Sequence, residues 1–138
     1  MLNKAKEKIT SPAVTFVQAD ITRPWTFATK AYDLVGFSLV LEHIEDLQPV
    51  FANVAAVLKP GGHLYISELH PFKQYNGSKA RFETAEGTQV VPCFNHHITD
   101  FTDAATSNGI ELVNIHEYFD EGNRYNIPRL LTFLFRKS

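Results

Sequence analysis

The longest apolar stretch of the chain covers residues 34–41 (LVGFSLVL) and shows no alternation of polar and apolar positions. Such a stretch is typical of a strand that is covered on both faces in a parallel sheet. A buried helix is the competing interpretation, but the length and the β-branched and aromatic content favour a strand. We therefore predict a buried strand at residues 34–41.

Helical spacing follows this stretch and then gives way to alternation. The predicted helix can be capped by Asp46, and Pro49 lies in its first turn, where proline is tolerated. Its apolar positions keep one face: Leu47, Val50, Phe51, Val54, Val57 and Leu58. A turn at residues 60–62 (PGG) ends the helix, and residues 63–68 (HLYISE) alternate as a second strand. This order predicts a βαβ unit with a right-handed crossover.

The N-terminal part of the chain carries two shorter signals. Residues 2–9 have helical spacing, which predicts the tail of an amphipathic helix. Residues 13–18 alternate and are rich in β-branched and aromatic side chains, which predicts a short strand. Asp20 closes this strand, because polar residues and proline follow it directly.

The C-terminal part begins with residues 71–95, which have no sustained periodicity and predict a long loop. Residues 99–108 then predict a helix with Phe101, Ala104 and Ala105 inward and a stop at the glycine that follows. Residues 110–118 and 130–136 predict two final strands, and the turn-rich segment between them makes an antiparallel pair plausible.

Composition indicates one domain and narrows the set of partners. The chain has 138 residues, of which 44% are hydrophobic, and a formal charge of −2 from 13 basic and 15 acidic residues. It has no basic field that would hold nucleic acid or an anionic membrane surface. Cys93 is the single cysteine, which excludes an intramolecular disulfide and favours a reducing compartment. No apolar run approaches the ~20 residues of a membrane span, so we expect a cytoplasmic protein.

Histidine and cysteine do not form a recognisable metal or nucleophile motif. His96 and His97 are adjacent and would diverge in a strand, and Cys93 with His96 lacks a second pair at zinc-like spacing. Cys93 also has no acid and base motif near it in the sequence, which favours a buried or loop thiol over a nucleophile. We therefore expect no metal site.

Five short motifs occur in an order that resembles the class I, Rossmann-like methyltransferases that use S-adenosylmethionine on small molecules. They are QAD after a strand, YDLVGFSLVLEHIEDL, VLKPGG, LYISELHP and SNGIEL. The resemblance spans nearly the whole chain. It implies an α/β three-layer sandwich with a mostly parallel sheet and an antiparallel C-terminal strand. It also implies S-adenosylmethionine as cofactor and a small-molecule acceptor. A nicotinamide-dependent oxidoreductase is a weaker alternative, since no G-x-G-x-x-G occurs.

The resemblance also implies cofactor-binding residues. Asp20 would accept a hydrogen bond from the adenine amino group, which suits an acceptor-only carboxylate, and the Ile21 main-chain N–H would contact an adenine ring nitrogen. Ser38, Leu39 and Leu41 would lie beside the methionine part of the cofactor, at the carboxyl end of a parallel strand.

His43 and His70 are the catalytic candidates that the resemblance implies. Each follows a predicted parallel strand, and such strands deliver their carboxyl ends to one crevice. Residues 71–97 would then form a loop on the substrate side. The aromatic residues of this segment either line an acceptor pocket or pack the loop onto the sheet: Phe72, Tyr75, Phe82 and Phe94.

One departure from the family pattern concerns the beginning of the chain. The glycine-rich loop after the family's first strand, and the acid after its second, have no counterpart in this sequence. Met1 therefore resembles an internal methionine, and we expect an incomplete fold that lacks the first two strands. The strand at 34–41 would expose one edge, so we expect it to pair with the strand at 13–18 or with another subunit as a homodimer. The alternative to an enzyme is a non-catalytic remnant that self-associates through this edge.

Overall fold

The fold is an open four-stranded sheet with helices, accompanied by a separate hairpin. The computed structural model describes residues 2–28, 30–72, 81–84, 87–90 and 93–138, with only the backbone of 81–84 and 87–90. The helices are α1 (Leu2–Lys8), α2 (Gln48–Val57) and α3 (Ile98–Ser107), with short 3₁₀ turns at Leu41–His43 and Asp120–Gly122. The strands are β1 (Tyr32–Ser38), β2 (Leu58–Leu69), β3 (Arg81–Thr84), β4 (Gly87–Val90), β5 (Ile110–Tyr118) and β6 (Leu130–Lys137).

The predicted βαβ unit is present. Strand β1 pairs in parallel with β2, from Leu34 opposite His63 to Ser38 opposite Ser67, and α2 connects the two strands. Strand β1 ends earlier than predicted, because Leu39 adopts a φ of 55° and a 3₁₀ turn follows. The apolar stretch thus supplies both a strand and the turn at its carboxyl end.

Helix α2 follows the prediction closely, whereas its exit differs. Leu47 rather than Asp46 is the N-cap, although Asp46 Oδ1 accepts a hydrogen bond from Gln48 N at 3.0 Å, and the predicted inward face is buried. Strand β2 begins at Leu58, and the predicted turn at residues 60–62 is instead an irregularity within this strand. Gly61 has a φ of +81°, and a Cβ at Gly62 would lie 2.8 Å from Lys59 O. The glycine pair therefore permits a bend that larger residues would block.

The predictions for residues 99–136 are confirmed. Helix α3 is followed by Gly109, which has a φ of +73°, and β5 and β6 pair antiparallel. Strand β6 also pairs antiparallel with β2, so the strand order is β1-β2-β6-β5. The architecture is the predicted α/β fold with an antiparallel C-terminal strand, but the described four-stranded sheet is mixed rather than mostly parallel, with one parallel and two antiparallel pairings.

The core lies where the sheet meets α2 and α3. Phe51 of α2 packs edge-on against Phe135 with ring centres 6.2 Å apart, and Phe101 of α3 packs on Phe133 at 5.0 Å. The alternating positions of β2 separate the two faces, since Leu64 is fully buried and Tyr65 remains 41% exposed. The opposite face of the sheet is thus more open to solvent. In the described parts of the chain, no helix has the length and apolar character needed to cross a membrane.

The predicted strand at residues 13–18 is wrong. These residues form no strand ladder in the described structure, and Val14 and Val17 are 42% and 52% exposed. A strand requires a neighbour for its backbone groups, and β1 pairs only with β2 among the described strands. Direct pairing of residues 13–18 with residues 34–41 is therefore also wrong.

The segment predicted to be one long loop contains a hairpin. Strands β3 and β4 pair antiparallel from Arg81 opposite Val90 to Thr84 opposite Gly87 and form a sheet of their own. Tyr75 and the side chain of Phe82 lie outside the described residues.

Candidate functional site

The candidate site is built around the turn that follows β1, which we call the β1 turn (residues 39–43). Leu39 N donates to Ser67 O at 2.9 Å, so the turn is tied to the carboxyl end of β2. Leu41 is fully buried, whereas Leu39 is 47% exposed. Of the predicted cofactor residues, Ser38, Leu39 and Leu41 thus lie together at the carboxyl ends of two parallel strands.

Glu68 anchors this turn, and the sequence analysis did not single it out. Its Oε1 accepts hydrogen bonds from Leu41 N at 2.8 Å and from Val40 N at 3.2 Å. The side chain is buried, and burial raises the pKa of Glu68 to about 7, although both hydrogen bonds oppose the rise. The available signal was an acid at the last inward position of an alternating strand, after Leu64 and Ile66.

His43 lies at the end of the β1 turn and contacts two other polar residues. Its Nε2 is 3.4 Å from Glu42 Oε1, and its Nδ1 is 3.8 Å from Cys93 Sγ. The side chain remains 28% exposed. The contact with Cys93 spans 50 positions of the sequence, so local motifs could not reveal it.

The segment after the hairpin is fastened to this turn. Phe94 N donates to Glu42 O at 2.8 Å, and His96 Nε2 lies 2.6 Å from Ile44 O. His96 donates there, because a carbonyl oxygen only accepts. A cleft of about 580 Å³ opens beside this contact, lined by Phe94, Asp100 and Asp103 among others. The return of the long segment therefore forms one wall beside the β1 turn.

His70 is buried and has partners at both ring nitrogens. Its Nδ1 accepts a hydrogen bond from Phe72 N at 3.1 Å, so the ring hydrogen is assigned to Nε2. Nε2 then donates to Glu117 Oε2 at 2.6 Å. His70 N also donates to Arg129 O at 2.8 Å. These contacts join the end of β2 to the far strands of the sheet.

Asp20 is exposed, whereas Ile21 is partly buried beside α2, whose Asn53 side chain donates to Ile21 O at 3.4 Å. Asp20 Oδ1 accepts from Thr22 N at 3.0 Å and from Thr22 Oγ1 at 2.6 Å. The Thr22 hydroxyl and amide, followed by Arg23, lower the pKa of Asp20 from its usual value. Ile21 O accepts from Trp25 Nε1 at 2.9 Å, which fixes the main chain beside the carboxylate.

Metal ligands do not cluster in this region. Within the described residues, no group of three histidine, cysteine, aspartate or glutamate side chains is placed to hold a metal ion.

The described aromatic residues of the long segment differ in their surroundings. Phe72 is 54% exposed, whereas Phe94 lines the cleft.

Comparison with known proteins connects this geometry to one family. Residues 1–66 match the methyltransferase domain family. A ubiquinone biosynthesis O-methyltransferase of Coxiella burnetii is 29% identical over 110 residues, which are 71% of this chain and 45% of that protein. A structure described as a putative S-adenosylmethionine dependent methyltransferase from Listeria monocytogenes superposes with a TM-score of 0.78 at 22% identity, covering 100% of this chain and 76% of that one. A DhpI–SAH complex has a TM-score of 0.70 at 19% identity, covering 100% and 61%.

Over residues 1–66 the chain is similar to the methyltransferase domain, and its fold is that of S-adenosylmethionine-dependent methyltransferases of known structure. The match to the family domain includes Asp20, Ile21, the β1 turn and α2. Outside the matched residues 1–66 lie Glu68 and Cys93, which contact the β1 turn, and His70, which contacts β5. The chain spans less than half the length of the Coxiella methyltransferase.

Proposed function

We propose that this chain is part of a class I methyltransferase, an enzyme that transfers the methyl group of S-adenosylmethionine to a small-molecule acceptor. The observation that carries the proposal is the β1 turn. It lies at the carboxyl ends of the parallel strands β1 and β2, within the segment that matches the methyltransferase domain. Ligands of open α/β sheets bind in the crevice outside the carboxyl ends of the strands.

The proposed cofactor site combines two segments. Asp20 fits an adenine amino group, because its lowered pKa keeps the carboxylate ionised and acceptor-only at neutral pH. The Ile21 main-chain N–H contacts an adenine ring nitrogen in this proposal. In this proposal Ser38 and Leu39 line the methionine part, where the exposed Leu39 offers apolar surface, and the fully buried Leu41 holds the turn from the core side.

The bound cofactor supplies an electrophilic methyl group, and methyl transfer is an in-line displacement at the sulfonium carbon. The protein therefore mainly aligns the two reactants, excludes water and removes a proton from a protic acceptor. We assign the proton acceptor to His43, which is partly exposed and close to the Glu42 carboxylate. The contacts of the ring with Glu42 and Cys93 hold the orientation of His43 at the end of the β1 turn.

His70 has a different place in the proposal. Both of its ring nitrogens are engaged, so it acts through Glu117, to which its Nε2 donates. The Glu117 side chain is 47% exposed and lines a cleft of about 490 Å³ together with Arg124. We propose that His70 orients this carboxylate toward the acceptor and that residues 71–97 cover the acceptor.

The cofactor proposal is tested by calorimetric titration of the chain with S-adenosylhomocysteine. We expect Asp20→Asn to weaken binding by about tenfold, because an amide presents a donor as well as an acceptor where the carboxylate only accepts. The matched control is Asp33→Asn, since Asp33 lies on β1 at the opposite end of the strand and pairs with Lys59 at 3.2 Å. Absence of heat from the unsubstituted chain at millimolar ligand contradicts the cofactor assignment for this chain.

A second candidate function rests on the outer edge of β1. This strand pairs only with β2 among the described strands, and Leu34 is 61% exposed. We propose that a second copy of the chain pairs with this edge to give a homodimer. In the non-catalytic alternative, this association would be the function of the chain. The single cysteine leads us to propose a cytoplasmic location for either form.

A further inference from the structure

Glu68 is a buried acid whose only described hydrogen bonds are to the β1 turn. The side chain is 3% exposed, and its Oε1 accepts from both Val40 N and Leu41 N. Its second oxygen, Oε2, is buried and has no hydrogen-bond partner in the described part of the chain. Burying an ionisable side chain costs desolvation free energy. Here the two hydrogen bonds to main-chain amides fix the geometry of the β1 turn.

The two amides explain what the carboxyl group supplies. Val40 and Leu41 begin the 3₁₀ turn, and the first N–H groups of such a turn have no partner within it. Leu41 is fully buried, so water cannot replace the acceptor. The Leu39 amide is held separately by Ser67 O. Three consecutive amides of the turn are thus held by two adjacent residues near the carboxyl end of β2, Ser67 and Glu68.

This arrangement fixes residues that the proposed cofactor site uses. Leu39 has a φ of 55°, which is unusual for a residue with a branched side chain and persists where neighbouring contacts determine it. The contacts on either side of Leu39 are the β1–β2 ladder and the Glu68 carboxyl group. Loss of the carboxyl acceptor would free the turn to relax while leaving the ladder in place.

We propose that Glu68 is a positioning residue of the cofactor site, which holds the β1 turn in its binding geometry through the Val40 and Leu41 amides. This inference rests on the proposed function, since it assigns the turn to the cofactor. Glu68 itself touches neither cofactor nor acceptor in this assignment. Burial is the main cause of the raised pKa of Glu68, which agrees with a carboxyl group that is enclosed beside the β1 turn.

The experiment compares Glu68→Met with Glu68→Gln. Methionine keeps the size and apolar stem but removes the acceptor, whereas glutamine restores one carbonyl oxygen. The control is Glu111→Met, at an exposed position of β5. Two quantities are measured on the full chain: amide hydrogen exchange at Val40 and Leu41, and the Kd for S-adenosylhomocysteine.

We expect Glu68→Met to raise exchange at these two amides and to weaken binding, each by about tenfold, as befits a lost buried hydrogen bond. Glu68→Gln should restore both quantities to within about threefold of the unsubstituted chain, and Glu111→Met should change neither. Unchanged exchange and affinity in Glu68→Met overturn the proposal. Faster exchange throughout the sheet, with no rescue by glutamine, also overturns it in favour of a general role in stability.

A spectroscopic readout covers the case in which Glu68→Met does not fold. In the unsubstituted chain, the amide signal of Leu41 should shift with pH as Glu68 titrates, and Glu68→Gln should abolish that shift. The charged groups of the turn that act on Glu68 are Glu42 and His43, and both remain in the variant. A Leu41 shift that persists in Glu68→Gln overturns the proposal. If the unsubstituted chain does not bind S-adenosylhomocysteine, the proposed function fails, and amide exchange still decides the role of Glu68.

Discussion

At the scale of single residues, the buried carboxyl group of Glu68 couples the stability of the fold to pH. Its pKa rises from 4.5 to about 7 on folding, chiefly because burial disfavours the charged form. The folded state therefore binds more protons than the unfolded state between these values. Because the folded state binds more protons, the free energy of unfolding falls as pH rises from about 4.5 to about 7. The stabilisation is complete below about pH 4.5 and is lost by about pH 7 to 8.

The corresponding prediction concerns the difference between Glu68→Gln and the unsubstituted chain. Glutamine does not titrate, so the free energy of unfolding of the Glu68→Gln variant lacks this pH dependence. Any fixed cost of the amide cancels when the variant is compared at two pH values. We expect the difference, variant minus unsubstituted chain, to increase by about 1–3 kcal/mol from pH 5 to pH 8. Urea unfolding at both pH values measures it. A difference that stays constant with pH would place the titration of Glu68 outside this range.

The residues of the candidate site differ in how far the sequence could predict them. The family resemblance implied that Ser38, Leu39 and Leu41 lie at the carboxyl end of one strand, and the structure puts them at the end of β1 and in the turn that follows. Glu68 was missed because an alternating strand predicts an apolar residue at its position. The contact of His43 with Cys93 and that of His70 with Glu117 depend on pairings 50 and 47 positions apart. Only the assembled sheet brings these groups together.

At the scale of secondary-structure elements, the helices with a repeated apolar face were predicted closely, whereas two of the shortest signals were misread. Helices α2 and α3 were predicted to within one or two residues, because their apolar faces repeat over several turns. The strand predicted at residues 13–18 failed because it has no neighbour among the described strands. Strands β3 and β4 have four residues each, too few for alternation to distinguish them from a loop.

Two glycines, Gly109 after α3 and Gly62 within β2, give a matched test of local geometry. A Cβ at Gly109 would have no heavy atom within 4 Å, so alanine there meets only the strain of a positive φ. A Cβ at Gly62 would lie 2.8 Å from Lys59 O and 3.1 Å from Tyr32 O, which are backbone atoms that cannot move aside easily. We expect Gly109→Ala to lower the free energy of unfolding by about 1 kcal/mol and Gly62→Ala by about 2–3 kcal/mol. Chemical denaturation decides, and the reverse order would mean that the start of β2 adjusts freely.

At the scale of the whole molecule, the strand order β1-β2-β6-β5 leaves two edges of different character. Strand β5 carries Glu111 and Glu117 and a register irregularity between Leu112 and Asn114. Charged residues and irregular register are common protections of an edge strand. The part of β1 that pairs regularly with β2, residues 34–38 (LVGFS), carries no charge. The β1 edge is therefore the better template for a further strand.

The resulting prediction is concentration-dependent dimerisation through β1, measured by sedimentation velocity. Leu34→Lys places a charge on the exposed edge strand and should shift the protein to monomer, because a charged side chain there opposes strand pairing. Val113→Lys is the matched control: Val113 is 54% exposed on the opposite edge, and its replacement should leave the dimer intact. Amides of residues 34–38 should also exchange more slowly as protein concentration rises. A monomer at all concentrations, or a dimer that only Val113→Lys disrupts, would contradict pairing through β1.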